Sequence, residues 1–211
     1  IAGRKLDERY FEDLQKIVVN RGLQDNVRFL GSVTQRELSN LYKTCKFFVF
    51  PSLVESFGNP LVEAMASGAP VATSNRAAMP EVVGLAAILF DPTSVPEMAS
   101  ALERLYEDEE LRQSLSEKSL QRAQLFSWSK TASTTLEIIK NVAQSLPIGK
   151  KLYVKEHISQ ITRSWRSIKF YNDLEKIPNV ILLHPSIKPS EIFKKCSMVV
   201  TITGTAAFEC L

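Results

Sequence analysis

Residues 46–73 read KFFVFPSLVESFGNPLVEAMASGAPVAT, and this stretch decides the fold. KFFVF at 46–50 is an apolar run typical of a strand buried on both faces of a parallel sheet. A helix is predicted over 60–67, because a proline stands in its first turn and a glycine follows its end. PVAT at 70–73 reads as the next strand. The stretch therefore predicts a β-α-β unit of a parallel sheet.

Strands alternate with helices on both sides of this unit, which favours an α/β fold with a Rossmann-like parallel sheet and right-handed crossovers. Ligands of such sheets bind beyond the carboxyl ends of the strands. The capping boxes TQRE at 34–37 and SVPE at 94–97 each predict a helix start. Spacing and turn residues predict helices over 7–22, 35–44, 79–83, 94–106, 108–124, 128–145 and 190–196, and strands over 27–31, 86–90, 151–157, 179–184 and 198–203.

The segment QSLPIGKK breaks the last long helix and predicts a linker, so we expect two domains, 1–146 and 147–211. IAG at the start reads as the end of a strand, and FECL at the end stops inside a predicted helix. We therefore expect a piece of a longer protein, with the first domain cut at its N-terminal side and the second at its C-terminal side.

The 211 residues are 45% hydrophobic and 23% charged, which is typical of a globular protein and argues against disorder. No apolar run reaches the length of a membrane-spanning helix. Three cysteines without metal-ligand spacing, Cys45, Cys196 and Cys210, favour a reducing cytoplasm.

The net charge of +3 is unevenly distributed. Residues 1–147 carry 16 Lys/Arg against 18 Asp/Glu, whereas residues 148–211 carry 10 against 5. The basic part is read either as a solvated surface or as a face for phosphates, a polyanionic substrate or peripheral contact with the inner membrane face. Nucleic acid is not expected, because stacking aromatics do not interleave with the basic residues.

The loop 52–59 follows a strand and precedes a helix, so it lies where a ligand cleft is expected. The N-terminus of that helix offers N–H groups and partial positive charge to a diphosphate, and Gly58 permits close approach of the backbone. Glu63, one turn into the helix, suits two adjacent ribose hydroxyls, and Glu55 lies in the loop. The alternatives are an exposed glutamate favoured by the helix dipole and a surface or capping carboxylate, respectively.

PSLVESFGNPLVEAMASGAPVATSN, followed by PEVVGLAAILFDP, resembles the donor-binding C-terminal domain of retaining glycosyltransferases of the GT-B fold, glycosyltransferase family 4 (group 1). The resemblance runs from Ile1 to about Ala143 and includes the E-x7-E signature of that family. It implies that Glu63 binds the ribose of a nucleotide sugar and that Glu55, as the catalytic residue, contacts the donor sugar near its anomeric centre. Further donor-binding residues implied are Ser52, Phe57, Gly58, Asn59, Pro60, Leu61, Ser32 and Val33.

The resemblance also implies transfer with retention of configuration, without a metal or other cofactor, to a carbohydrate or lipid-linked acceptor. The family's basic residues for the diphosphate precede IAG and are absent from this chain. NRAAMPE at 75–81 stands where many members have a Gly-Gly pair, and it resembles the branch that assembles O-antigen and mannan-type polysaccharides. A GDP-linked mannose donor is the expectation that follows.

KLYVKEHISQ at 151–160 and VVTITGTAAFECL at 199–211 resemble capsule polysaccharide synthesis proteins, which include Kdo transferases. The candidates in this second unit are His157, Thr203, Gly204, Thr205 and Glu209. The hydroxyls and N–H groups of the Thr-Gly-Thr turn could cradle a phosphate, while the alternative for a lone strand-end histidine is a structural role. The second unit also repeats the order of 26–65, either by chance or as a repeated half-domain.

The leading hypothesis is a cytoplasmic glycosyltransferase of bacterial capsule or O-antigen assembly, acting near the inner membrane, although this piece alone is expected to be inactive. One alternative is a nucleotide-sugar-binding module without catalysis. Another is a sugar-nucleotide epimerase, which shares the fold.

Overall fold

The computed structural model describes residues 1–156 and 167–200. The chain divides into two compact units, Ile1–Leu125 and Phe126–Leu211. In chain order the first unit contains α1 (Glu8–Asn20), α2 (Gln35–Thr44), β1 (Phe48–Phe50), α3 (Asn59–Ala66), β2 (Val71–Ser74), α4 (Met79–Val83), β3 (Ala87–Phe90), α5 (Val95–Glu107) and α6 (Glu109–Ala123). The second contains α7 (Trp128–Ser145), β4 (Leu152–Lys155), α8 (Ile168–Glu175), β5 (Val180–Leu183) and α9 (Pro189–Phe193).

The sheet of the first unit has the order β1-β2-β3, and both pairs are parallel. Phe48 pairs with Val71, and Thr73 pairs with Leu89, so the carboxyl ends of the strands meet at one edge. Every residue of the central strand β2 is buried. In the described part of the second unit, β4 and β5 form a parallel pair. The predicted α/β fold with parallel sheets is thus confirmed.

Helix α3 packs against β1 and β2 and contacts α2, α4 and α6, so the helix that follows the candidate loop is held on several sides. A core cluster lies beside it, where β2 and β3 meet α5 and α6: Ala72, Phe90, Ala101, Leu105 and Leu115. Arg112, nearly buried, donates to the carbonyl oxygens of Leu105 (2.6 Å) and Tyr106 (2.8 Å). It thereby satisfies carbonyls that the end of α5 leaves without a helical partner.

Side chains cap both of the helix starts at which the sequence predicts a capping box. The Thr34 hydroxyl accepts from Glu37 N, and the Glu37 carboxylate accepts from Thr34 N, which confirms the first capping box. At the second, Ser94 caps Glu97 N, but the Glu97 carboxylate accepts from Asp91 N at 2.9 Å. That box is therefore only half formed, since the carboxylate binds a backbone N–H of the preceding loop.

Three strand predictions need correction. The strand expected over 27–31 reduces to a single parallel bridge between Ala2 and Gly31, because the facing segment supplies few backbone partners. Strand β1 is half-buried, not buried on both faces, because among the described strands only β2 pairs with it. Residues 198–200, expected to begin a strand, form none.

Helix α7 belongs to the second unit, where it contacts α8. The side-chain amide of Asn179 donates to the carbonyl oxygen of Ala143 at 2.6 Å, which ties the helix to the loop before β5. The assignment of residues 1–146 and 147–211 to two domains of different kinds stays a prediction.

Candidate functional site

The loop between β1 and α3 turns sharply at Gly58, which is the N-cap residue of α3. Gly58 has φ 85° and ψ 57°, in the left-handed region that favours glycine. Its carbonyl oxygen accepts from Leu61 N at 2.9 Å. A Cβ at this position would lie 3.2 Å from Leu61 Cδ1, closer than ordinary van der Waals contact. The backbone conformation thus favours glycine, and a side chain here would also require Leu61 Cδ1 to move by a few tenths of an ångström.

Glu55 lies in this loop and is half-buried. The Ser52 hydroxyl donates to the Val54 carbonyl oxygen at 3.2 Å and lies 3.5 Å from Glu55 Oε1. The hydroxyl has one proton for these two acceptors, while a carboxylate has acceptor sites for several donors. The structure thus brings Ser52 and Glu55 together and leaves the Glu55 carboxylate able to accept from a ligand hydroxyl.

Glu63 projects from α3 toward α2, where the phenolic oxygen of Tyr42 lies 3.5 Å from Glu63 Oε2. Tyr42 is buried, with 5% of its surface exposed. Burial and, next, the charge of Glu63 raise the pKa of the Tyr42 phenol well above its ordinary value. The phenol therefore stays protonated and can only donate to the carboxylate.

The N-terminus of α3 has no side-chain cap, since its N-cap is a glycine. Of the other residues implied for backbone contact, Pro60 lacks an N–H and Leu61 N is already bonded to Gly58 O. The exposed Asn59 opens the helix and has one of the first N–H groups, which lack helical partners. Phe57 is 38% exposed, and the Leu61 side chain is fully buried beneath the turn. Of Asn59, Pro60 and Leu61, Asn59 therefore has the backbone N–H that could donate to an anion, and backbone binding of a diphosphate stays a prediction.

Ser32 and Val33 follow the bridge at Gly31 and precede α2, with Ser32 exposed and Val33 half-buried. Their predicted place at the edge of the base stays a prediction. His157, Thr203, Gly204, Thr205 and Glu209 lie outside the described residues.

Two features of this edge were missed from the sequence. Tyr42 belongs to an apolar helical stripe, so its contact with Glu63 becomes visible only when α2 and α3 are packed. Arg76, two residues beyond β2, forms an ion pair with Asp91 beyond β3 at 2.8 Å. Ala77 next to it has φ 49°, a conformation unusual for a non-glycine residue. The NRAAMPE motif is the one signal that could have directed attention there.

Within residues 1–156 and 167–200, no three side chains of His, Cys, Asp or Glu converge as metal ligands would. Transfer without a metal stays a prediction. None of the helices in these ranges combines the length and apolar character needed to cross a membrane.

The sequence and the structure of this chain are similar to those of known proteins. The O-antigen chain mannosyltransferase B of Escherichia coli is 35% identical over 130 residues, which cover 61% of this chain and 34% of that protein. The sucrose-phosphate synthase of Thermosynechococcus elongatus matches with a TM-score of 0.61 and 25% identity, over 68% of this chain and 38% of the other.

HepE of Anabaena, in complex with UDP, matches with a TM-score of 0.55 and 25% identity, over 59% of this chain and 35% of the other. The chain thus spans about a third of the length of each of these proteins. The model of the family described as Glycosyl transferases group 1 matches residues 1–122, which is more than half of the chain. The chain belongs to the group 1 glycosyltransferases.

Proposed function

We propose that this chain binds the nucleotide-sugar donor of a glycosyltransferase that builds a bacterial cell-surface polysaccharide. The observation that carries the proposal is the pair of carboxylates on either side of Gly58. Glu55 lies in the loop before the N-terminus of α3, and Glu63 lies one turn into the helix. In the full-length protein the sugar moves to a carbohydrate or lipid-linked acceptor.

The start of α3 supplies positive potential and N–H groups for the diphosphate. Glu63 accepts from the two ribose hydroxyls, since one carboxylate has acceptor sites for both. Glu55 lies nearer the sugar and stabilises charge that develops at the anomeric carbon during departure of the nucleoside diphosphate. The reaction retains the anomeric configuration. It needs no metal, because the N-terminus of α3 stabilises the leaving group together with basic side chains that this chain does not contain.

A mannose donor is supported by the likeness to the O-antigen chain mannosyltransferase B of Escherichia coli. Binding of a nucleoside diphosphate is supported by the likeness to HepE, whose structure holds UDP. The role in O-antigen or capsule assembly and a cytoplasmic location near the inner membrane face belong to the same proposal.

Isothermal titration of the full chain with GDP, UDP and GDP-mannose tests the proposal. We expect Glu63→Gln to weaken binding of the preferred nucleoside diphosphate about 10- to 100-fold, as loss of a hydrogen bond to a charged group does. Glu55→Gln should leave the affinity for the nucleoside diphosphate within about twofold. It should reduce the additional affinity for the nucleotide sugar, because a hydrogen bond from the sugar to a charged group is lost. Glu103→Gln, an exposed glutamate on α5, is the matched control and should bind as the parent does.

Unchanged affinities in both site variants would overturn the assignment of the two glutamates. Binding without release of the nucleoside diphosphate favours the binding-module alternative for this chain, and an altered sugar without acceptor favours the epimerase. In the full-length protein, Glu55→Gln should lower transfer by orders of magnitude. NMR of the product then tests retention, and transfer in EDTA tests the metal-free mechanism.

A further inference from the structure

Tyr42 places a phenol against the ribose-side carboxylate of the site. It lies on α2, and Glu63 lies on α3, 21 residues further along the chain. The two helices contact each other, so their packing brings the phenolic oxygen to 3.5 Å from Glu63 Oε2. This distance is at the long limit of a hydrogen bond, and such contacts often shorten when a site is occupied.

The ring of Tyr42 is held in place from another side. Phe48 of β1 packs edge-on against it, with ring centroids 5.1 Å apart and planes at 87°. Phe48 is in turn stacked on Phe50, at 6.1 Å and 24°. Since the tyrosine is buried and its ring packs against β1, movement of the ring away from Glu63 is restricted.

A buried phenol normally finds an acceptor, and Glu63 is the acceptor that the structure provides. The bond occupies part of the capacity of Oε2, while Oε1 and the remaining lone pair can each accept a hydroxyl. It also restricts rotation of a glutamate side chain that is otherwise flexible. A phenol that donates to Oε2 therefore limits the orientations in which the carboxylate can accept from two neighbouring hydroxyls.

We propose that Tyr42 is a positioning residue that orients the Glu63 carboxylate for bidentate binding of a ribose diol. This inference rests on the proposed ribose role of Glu63. It predicts that Tyr42 governs selectivity for a ribonucleotide over its 2′-deoxy form. A carboxylate held in one orientation gains binding free energy from both ribose hydroxyls, whereas a freely rotating carboxylate gains less from the second hydroxyl.

The test compares the parent full chain with Tyr42→Phe, which keeps the ring and removes only the hydroxyl. Each protein is titrated with GDP and UDP and with their 2′-deoxy forms. We expect Tyr42→Phe to weaken binding of the ribonucleotide about three- to tenfold, the effect of one lost hydrogen bond, and to leave the 2′-deoxy affinity within about twofold. The ribose-to-deoxyribose preference should shrink accordingly.

Tyr171→Phe is the matched control. The Tyr171 hydroxyl donates to the Glu156 carboxylate at 2.6 Å, so this substitution removes a phenol from a similar pair in the second unit. It should leave both affinities and their ratio unchanged. Tyr42→Phe added to Glu63→Gln should cost no further preference, because the residue acts through the glutamate.

If Tyr42→Phe loses affinity equally for the ribonucleotide and for its 2′-deoxy form, Tyr42 has a merely structural role and the proposal is overturned. The proposal is also overturned if Glu63→Gln abolishes the ribose-to-deoxyribose preference and Tyr42→Phe leaves it unchanged. If Glu63→Gln has no effect, the ribose role of Glu63 fails instead. If Tyr42→Phe melts below the titration temperature, all titrations are repeated at a temperature at which this variant is folded. An unchanged ribose-to-deoxyribose preference of Tyr42→Phe under those conditions contradicts the positioning role.

Discussion

The parallel sheets described in the two units differ in how deeply their strands are buried. In the first unit β2 is flanked by β1 and β3, and all four of its residues are buried. In the second unit β4 pairs with β5, and neither strand has a buried residue. A strand with a neighbour on each side and helices over it forms a rigid platform, whereas no strand of the described residues 126–156 and 167–200 pairs with the outer edge of β4 or β5.

The difference extends to the edge where ligands are expected. In the first unit the Thr73 hydroxyl, fully buried, donates to the carbonyl oxygen of Phe50 at 2.8 Å and ties β2 to β1 just before the Glu55 loop. In the second, the bond between His184 Nδ1 and Ser186 Oγ, 2.6 Å apart, spans only two residues. A site is more firmly preorganised where contacts at the strand ends link different strands.

Removing one fully buried leucine from each unit should give the largest contrast. Leu105 in the first unit and Leu174 in the second both have 0% exposure. We expect Leu105→Ala to cost about 3–5 kcal/mol, because its close-packed cluster cannot collapse, and Leu174→Ala about 2–3 kcal/mol. Urea unfolding measures both losses.

Tryptophan fluorescence reports the second unit in that experiment, since Trp128 lies in α7 and residues 1–125 contain no tryptophan. Far-UV circular dichroism follows the whole chain. Only Leu174→Ala should shift the fluorescence transition strongly. An equal shift from Leu105→Ala would show that the units unfold as one.

Two glycines, Gly58 and Gly149, have nearly equal φ. Replacing each with alanine separates the free-energy cost of backbone strain from the cost of a close contact with the added Cβ. Gly58 has φ 85° and a close neighbour, whereas Gly149 has φ 84° and nothing within 4 Å of an added Cβ. Gly149→Ala should cost about 1–2 kcal/mol from the left-handed conformation alone. Gly58→Ala should cost about 2–4 kcal/mol, because its Cβ also meets Leu61. Thermal melting measures both, and equal losses would mean that the turn has room to adjust.

Serine caps provide a smaller and more local test. Ser94 caps α5 in the first unit, and Ser127 caps α7 in the second. Each serine-to-alanine change should cost about 1 kcal/mol, because a backbone N–H loses its acceptor. Only Ser127→Ala should shift the tryptophan transition. Ser133→Ala, inside α7, is the control and should cost nothing, since alanine is the better helix former.

Two half-buried aspartates should give the smallest effect. Hydrogen bonds from Thr93, and then Arg76, lower the pKa of Asp91, while Lys176 is the main cause of the lowered pKa of Asp173. Each contributes stability that is present above the ordinary pKa of aspartate and is lost as the pH falls through the lowered value. NMR titration in rising salt should move Asp173 more than Asp91, because salt screens a charged partner more than a neutral one. Equal salt shifts would contradict this assignment of causes.

Most elements could be predicted from the sequence because their signals are local. Pro60 and Gly68 bound α3, and the Thr34 capping box starts α2, since each acts within a few residues of itself. Strand predictions failed where pairing with a neighbouring segment decides whether a strand forms. The run at 27–31 has strand composition, yet a strand forms only when a neighbour supplies a ladder of hydrogen bonds.

The candidate site shows the same division. The sequence by itself determined that two carboxylates flank a glycine turn at the head of a helix, because strand end, turn and helix start are adjacent in the chain. Tertiary structure alone decided that Tyr42 meets Glu63 and that Arg76 meets Asp91. Those contacts join different elements, and their geometry depends on how helices and strands pack, which no local pattern encodes.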